Sequence, residues 1–200
     1  MSEVIRAFVA IELPEPVKAH LVELMSRLRW QGLSGVRWVR PEGIHLTLKF
    51  LGNVEVTMLD AIHKALERAA GGQEPFALHL EGTGAFPRPA NPRVLWVGLA
   101  GDLEALGRIQ RRVEEGLVAL GLPPEERPFS PHLTLGRVQA PLPPAQRQRL
   151  AVTLEGLTPE VSLAIPARAV SLMRSTLLPS GAVYDQLRQV TLSSARSGPP

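Results

Sequence analysis

The tetrapeptide His-Leu-Thr-Leu occurs twice in this chain, at residues 45–48 within Ile44-His-Leu-Thr-Leu-Lys-Phe-Leu-Gly52 and at residues 132–135 within Pro131-His-Leu-Thr-Leu-Gly-Arg137. Both stretches have the composition of a β-strand. Successive side chains of a strand point to opposite faces, so in each copy the histidine and the threonine share one face and the leucines share the other. Each strand is therefore predicted to bury its leucines and to present a His-Thr pair.

The two motifs are separated by 132 minus 45, or 87 residues, and other parts of the chain follow the same offset. Strand-like segments at 5–13 and 93–99 each precede a helical pattern, at 16–28 and 103–120, and the apolar segment 76–80 corresponds to the region around Leu163. Element lengths can coincide by chance, but an identical tetrapeptide at the same offset favours a duplication.

We therefore predict an α+β fold with two duplicated lobes, in which two antiparallel sheets face each other across a central cleft and helices lie outside. Residues 1–192 would form this single two-lobed domain and residues 193–200 a flexible tail. Segment 82–92 is rich in Gly and Pro, which predicts a loop, and segment 183–192 is predicted to be the last strand.

Composition narrows the class of protein. A hydrophobic fraction of 44% and a charged fraction of 20% are ordinary for a folded soluble domain. The absence of Cys excludes disulfides, thiolate zinc sites and cysteine nucleophiles. Since the N-terminus mixes charges into its apolar residues and no run approaches the roughly 18 apolar residues of a membrane span, we predict a cytoplasmic protein without membrane contact.

Two histidines and two threonines around one cleft suit phosphate-ester chemistry. One imidazole can accept a proton from the nucleophile while the other donates one to the leaving oxygen, and threonine hydroxyls can bind phosphate oxygens. Metal sites need three or four clustered ligands, and neither motif has a carboxylate at ligand spacing, so no metal or other cofactor is predicted. The remaining histidines, His20, His63 and His79, are interpreted as structural.

With these flanking residues the chain resembles the two-histidine phosphoesterase superfamily, and specifically the bacterial and archaeal RNA 2',3'-cyclic phosphodiesterases once called 2'-5' RNA ligases. The resemblance covers nearly the whole chain and includes Arg6-Ala-Phe-Val-Ala-Ile, Gly84-Ala-Phe-Pro87, Arg93-Val-Leu-Trp96 and Tyr184. It implies hydrolysis of RNA ends that carry a 2',3'-cyclic phosphate, tRNA halves among them, to a 2'-phosphate. Reversible 2'-5' ligation is implied as a related activity, and we expect a monomer.

The resemblance also assigns roles to residues. His45 is implied as the proton donor and His132 as the proton acceptor, although the symmetry of the motifs leaves the opposite assignment open. Thr47, Thr134 and Arg137 are implied to hold the phosphate. Two other functions remain open: a phosphodiesterase for a small cyclic nucleotide, and a noncatalytic module that binds single-stranded RNA.

Several neighbours of the motifs are candidates for substrate binding. Strict alternation places Arg137 on the leucine face, but Gly136 before it predicts a bulge or strand end that re-aims the side chain. Alternation places Lys49 on the His45 face, where it would approach substrate, and Phe50 in the core with the leucines. Phe86 and Phe129 are candidates for stacking a base. A basic rim would consist of Arg6, Arg40 and Arg93.

Overall fold

The computed structural model describes residues 3–30, 32–33, 35–159, 163–179 and 181–194. Four helices are present in these ranges: α1 (Glu15–Arg29), α2 (Leu59–Ala70), α3 (Leu103–Val118) and α4 (Pro144–Gly156). The strands are β1 (Val4–Glu12), β2 (Val36–Trp38), β3 (His45–Glu55), β4 (Phe76–Arg88), β5 (Asn91–Gly101), β6 (His132–Val138), β7 (Ile165–Ala167), β8 (Ala169–Leu178) and β9 (Gly181–Thr191). None of the described helices is long and apolar enough to cross a bilayer.

The strands form one curled antiparallel sheet in the order β7-β4-β5-β6-β3-β1-β8-β9, with β2 added to β6. The two motif strands, β3 and β6, lie side by side at its centre and are joined through a single residue pair, Leu46 with Leu133. The predicted α+β class and duplicated lobes are confirmed, and the two predicted sheets turn out to be continuous at this junction.

The two faces of the sheet differ in what covers them. One face carries the main core, to which every helix contributes its apolar side, for example Leu21 of α1, Leu66 of α2 and Ile109 of α3. Among the described residues, the other face carries a small separate cluster of buried apolar side chains, formed by Phe8, Ala10 and Met173. This second face, called the cleft face below, is therefore the side left open for a ligand.

The lobes exchange strands. In one lobe β3 and β1 are followed by β8, which belongs to the second sequence repeat, and in the other lobe β6 and β5 are followed by β4, which belongs to the first. Each lobe is thus completed by a strand from the other repeat. The predicted tail at 193–200 lies mostly outside the described residues, and its flexibility remains a prediction.

The prediction of a loop at 82–92 was wrong for most of that segment. Strand β4 continues to Arg88 and pairs with β5 down to the pair Arg88 and Asn91. Gly84 is needed inside this strand, because a Cβ atom there would approach the Trp96 indole to 2.4 Å. Glycine in a strand often marks such a close approach, and here it marks no loop.

Candidate active site

The junction of the two lobes brings the four motif side chains together. Because Leu46 pairs with Leu133 in antiparallel register, His45 comes next to Thr134 and Thr47 next to His132. Both leucines are fully buried on the helix side, so all four polar side chains lie on the cleft face. The sequence prediction of two imidazoles and two hydroxyls around a common space matches this placement.

The second motif contains the expected irregularity. In the pairing of β5 with β6, Trp96 lies opposite Thr134 and Leu95 opposite Gly136, so Leu135 is an extra residue on β6. Such a bulge reverses the alternation beyond it. Arg137 therefore joins His132 on the cleft face, where it is exposed, as predicted from Gly136.

The first motif has an equivalent bulge, which makes two predictions wrong. Ala10 lies opposite Thr47 and Val9 opposite Lys49, so Leu48 is the extra residue. Lys49 consequently turns away from His45 into the protein and is 3% exposed, with Nζ donating to Glu114 Oε2 and to the Pro123 carbonyl, both at 2.8 Å.

Phe50 moves in the opposite direction to Lys49. It was predicted in the core, yet it lies on the cleft face opposite Phe8 and is 56% exposed. The repeat contained the signal for both corrections, because the 87-residue offset maps Lys49 and Phe50 onto Gly136 and Arg137. Reversed alternation in one motif should have been expected in the other.

Both catalytic candidates are held by equivalent hydrogen bonds. Nδ1 of His45 lies 2.8 Å from the Gly43 carbonyl and Nδ1 of His132 lies 2.7 Å from the Ser130 carbonyl. A carbonyl oxygen can only accept, so in each ring Nδ1 carries the proton and Nε2 is the remaining reactive nitrogen. The two imidazoles are thereby fixed in the same tautomer, each by the residue two positions earlier.

His45 sits in an aromatic environment. Its ring stacks on Phe8 with centroids 4.4 Å apart, and Tyr184 contacts it edge-on at 5.0 Å. Burial lowers the pKa of His45 from 6.5 to about 4, and the hydrogen bond to Gly43 opposes this only in part. At neutral pH and without a ligand, His45 is therefore uncharged. Phe8 and Tyr184 were not predicted as site residues, although both belong to stretches that carry the family resemblance.

His132 has a more open environment. Phe86 contacts its ring edge-on with centroids 4.9 Å apart, and Phe86 in turn packs against Trp96 at 5.1 Å. Phe86 is thus close to the reacting groups, as a base-stacking residue would have to be. Phe129 is partly buried against the main core, and its predicted stacking role remains a prediction.

The structure also places the two threonines predicted to bind phosphate and two of the arginines predicted to form a basic rim. Thr47 and Thr134 are partly exposed, and no hydrogen bond of either hydroxyl occurs within the part of the chain that the structure describes, so both are available to a ligand. Arg6 is exposed on the cleft-face side of β1, whereas Arg93 lines a recess with Val138 and Arg147 on the helix side. Arg93 is therefore no part of a rim around this site.

Comparison with known proteins agrees with the geometry. The family model "LigT like Phosphoesterase" matches twice in tandem, over residues 11–96 and 97–184. An RNA 2',3'-cyclic phosphodiesterase of Methanothermobacter thermautotrophicus is 34% identical over 92% of this chain and 96% of its own. One from Thermus thermophilus is 37% identical over 94% of this chain and 90% of its own.

A solved structure gives the same result. A crystal structure of a Thermus thermophilus protein superimposes with a TM-score of 0.76 at 32% identity, covering 94% of this chain and 98% of that one. The matched family segments together span most of the chain and each contains one His-Leu-Thr-Leu strand. The chain therefore belongs to the family of LigT-like phosphoesterases.

Proposed function

We propose that this protein hydrolyses the terminal 2',3'-cyclic phosphate of RNA to a 2'-phosphate by acid-base catalysis between His45 and His132, without a metal ion. The observation that carries the proposal is the pair of imidazoles on adjacent strands, each tethered through Nδ1 and each left with Nε2 for chemistry. The curated relatives that match over most of their length are named RNA 2',3'-cyclic phosphodiesterases, which supports the same substrate class.

The two imidazole rings carry out different proton transfers in the proposed reaction. Nε2 of His132 accepts a proton from water as the water oxygen bonds to phosphorus, and Nε2 of His45 donates a proton to O3' as the bond between phosphorus and O3' breaks. The products are a 3'-hydroxyl and a 2'-phosphate. Thr47, Thr134 and Arg137 bind the nonbridging oxygens, and the Arg137 guanidinium offsets the charge that develops on them.

The proton on His45 has to arrive with the substrate. A neutral imidazole cannot act as a proton donor, and the pKa of about 4 leaves His45 neutral in the free protein. A phosphate anion close to Nε2 favours the charged imidazolium, because opposite charges a few ångströms apart stabilise each other. The proposal is therefore that substrate binding protonates His45. Exchange of the acid and base roles is the alternative that the symmetry of the site leaves open.

The cleft also offers contacts for the RNA beyond the phosphate. The exposed ring of Phe50 lies on the same face as His45, and Phe86 lies beside His132. Aromatic rings in such positions stack unpaired bases. If the 5'-hydroxyl of a second RNA replaces water as the nucleophile, the same proton transfers join the two RNAs by a 2'-5' linkage, with tRNA halves as candidate substrates. Action as a monomer in the cytoplasm remains a prediction.

The test is to incubate an RNA ending in a 2',3'-cyclic phosphate with the protein in a chelator and to determine the position of the phosphate in the product. A 2'-phosphate is expected. A 3'-phosphate, or a requirement for a divalent metal, would exclude the mechanism. His45→Ala and His132→Ala should each lose most of the turnover while RNA binding persists; unchanged turnover would favour a noncatalytic RNA-binding module. A mononucleotide substrate used as well as a tRNA half would favour the small-nucleotide alternative.

A further inference from the structure

The segment that leads into the first motif is fixed by the strand of the second. Residues Val36–Trp38 form β2, which pairs with β6, and the Val39 amide donates to the Leu135 carbonyl at 2.9 Å. Gly136 lets β2 lie close to β6, because a Cβ atom there would meet Val36 Cγ1 at 3.0 Å and the Arg37 carbonyl at 3.3 Å, so these neighbours would have to shift. The approach to His45 is thus held by backbone pairing over Gly136.

The segment that leads into the second motif, residues 123–131, has no such strand. Among the described residues its backbone makes no hydrogen bond to other backbone groups. Four of its nine residues are proline and lack an N–H, as the sequence shows at 123, 124, 128 and 131. Some other group has to restrict the conformational freedom of this segment so that the Ser130 carbonyl stays within hydrogen-bond distance of His132 Nδ1.

That group is Lys49 together with its partner on α3. Lys49 Nζ donates to the Pro123 carbonyl at 2.8 Å, and Glu114 receives Lys49 on Oε2 and the Glu125 amide on Oε1, each also at 2.8 Å. Lys49 is the residue that the 87-residue offset pairs with Gly136. At equivalent positions of the repeat, β6 holds the segment before His45 through its backbone at Gly136, and β3 holds the segment before His132 through the buried side chain of Lys49.

We propose that Lys49 is a positioning residue for His132, an inference that rests on the proposed function for its catalytic consequence. Lys49 and Glu114 fix residues 123–125 at the start of the segment, which leaves a short span to Ser130. The Ser130 carbonyl then holds Nδ1–H of His132 and keeps Nε2 directed at the cleft. Each lobe thereby orients the histidine of the other.

The test replaces Lys49 by methionine, which fills the buried volume without the charge, and labels the histidines with 15N. Two-bond 15N–1H correlations at pH 8 report the tautomer of each ring. In Lys49→Met, His132 is expected to lose its Nδ1–H tautomer while His45 keeps it, which makes His45 an internal control. The kcat for cyclic-phosphate hydrolysis should fall by about a hundredfold, a loss typical of a catalytic group displaced by about 1 Å.

Two further variants separate positioning from loss of stability. Leu150→Ala removes a fully buried side chain from α4, which packs on β4, and should destabilise the protein without changing either tautomer or kcat. Glu114→Gln keeps an oxygen for the Glu125 amide and removes the charge opposite Lys49. It should shift the tautomer of His132 and lower kcat in the same direction as Lys49→Met, but by less. This variant takes the place of Lys49→Met if that protein does not fold.

The inference is overturned if both Lys49→Met and Glu114→Gln keep the wild-type tautomer of His132, or if Leu150→Ala at equal stability reproduces their effects. The tautomer does not depend on turnover. If the wild-type protein fails to hydrolyse cyclic phosphates, the proposed function fails, and the tautomer alone still decides whether Lys49 positions His132.

Discussion

The surroundings of His45 and His132 differ far more than the backbone that presents them. Both rings are tethered to the carbonyl two residues earlier, and both strands bulge at the second leucine of the motif. Yet His45 is packed between Phe8 and Tyr184, whereas His132 shares its face with the exposed Arg137. The duplication has kept the geometry that aims Nε2 and has changed the side chains that surround each ring.

The largest expected effects come from removing each histidine and show which of the two rings is the acid. Each of His45→Ala and His132→Ala should lower kcat by roughly 10²- to 10⁴-fold, the range that general acid or base catalysis contributes. A substrate with sulfur in place of O3' has a leaving group that needs no proton. It should restore turnover of His45→Ala and not of His132→Ala, measured by product formation under saturating substrate. Restoration of His132→Ala instead would exchange the two roles.

The burial of His45 predicts a dependence of stability on pH. Since its pKa is about 4 in the folded protein and 6.5 ordinarily, the unfolded chain binds a proton at this site between those values and the folded chain does not. The full stability is therefore present above pH 6.5 and falls as the pH drops towards 4, by up to about 3 kcal/mol.

Urea unfolding from pH 7.5 to 4 would measure this effect. Glutamine does not titrate in this range, so His45→Gln lacks this effect. The unfolding free energy of the wild type minus that of the variant should therefore decrease as the pH falls. A difference that stays constant over this range would show that His45 is not buried as the structure has it.

The equivalent positions Phe50 and Arg137 should contribute different kinds of binding energy. Arg137→Gln removes charged hydrogen bonds to phosphate and should raise KM about tenfold or more at low salt, with the effect shrinking as salt increases. Phe50→Ala removes a stacking surface worth about 1–3 kcal/mol per base, which salt screens much less. Steady-state kinetics at two ionic strengths distinguish these cases, and identical salt dependence of the two variants would contradict the division.

The smallest expected effect concerns Gly136. Gly136→Ala adds one methyl group against Val36 and Arg37, and overpacking of this size costs about 1–3 kcal/mol. Because β2 leads to Gly43, the carbonyl partner of His45, the variant should disturb the tautomer of His45 and leave that of His132 intact, the reverse of Lys49→Met. Unchanged stability together with unchanged tautomers would show that β2 has room at this position.

The placement of the two histidines and the duplication could be predicted because they depend on patterns within the sequence. Alternation within His-Leu-Thr-Leu and the 87-residue offset place His45, Thr47, His132 and Thr134 on one face without knowledge of any tertiary contact. Arg137 could be placed as well, since Gly136 beside it indicates an irregular strand.

Alternation within the first motif alone misplaces Lys49 and Phe50, because the bulge that turns them lies in the pairing between β3 and β1; the sequence indicated it only through Gly136 at the equivalent position of the second motif. No glycine lies next to the bulged residue Leu48 in the first motif. The length of β4 escaped prediction for a related reason: Gly84 is a loop residue by its own preference, and only the indole of Trp96 on the neighbouring strand explains its presence in the sheet. In both cases the partner strand supplies information that the segment itself does not contain.

The exchange of strands between the lobes has a consequence for how activity is acquired. A chain cut at the repeat boundary would leave β1 without β8 on one fragment and β4 without β5 across the cut, so neither fragment could form a closed lobe. His45 and His132 would lie on different fragments, and the pair of imidazoles forms only where β3 and β6 come together. A nascent chain that still lacks β8 and β9 would hold His45 without the neighbouring strand β8 and without the Tyr184 ring that packs against it.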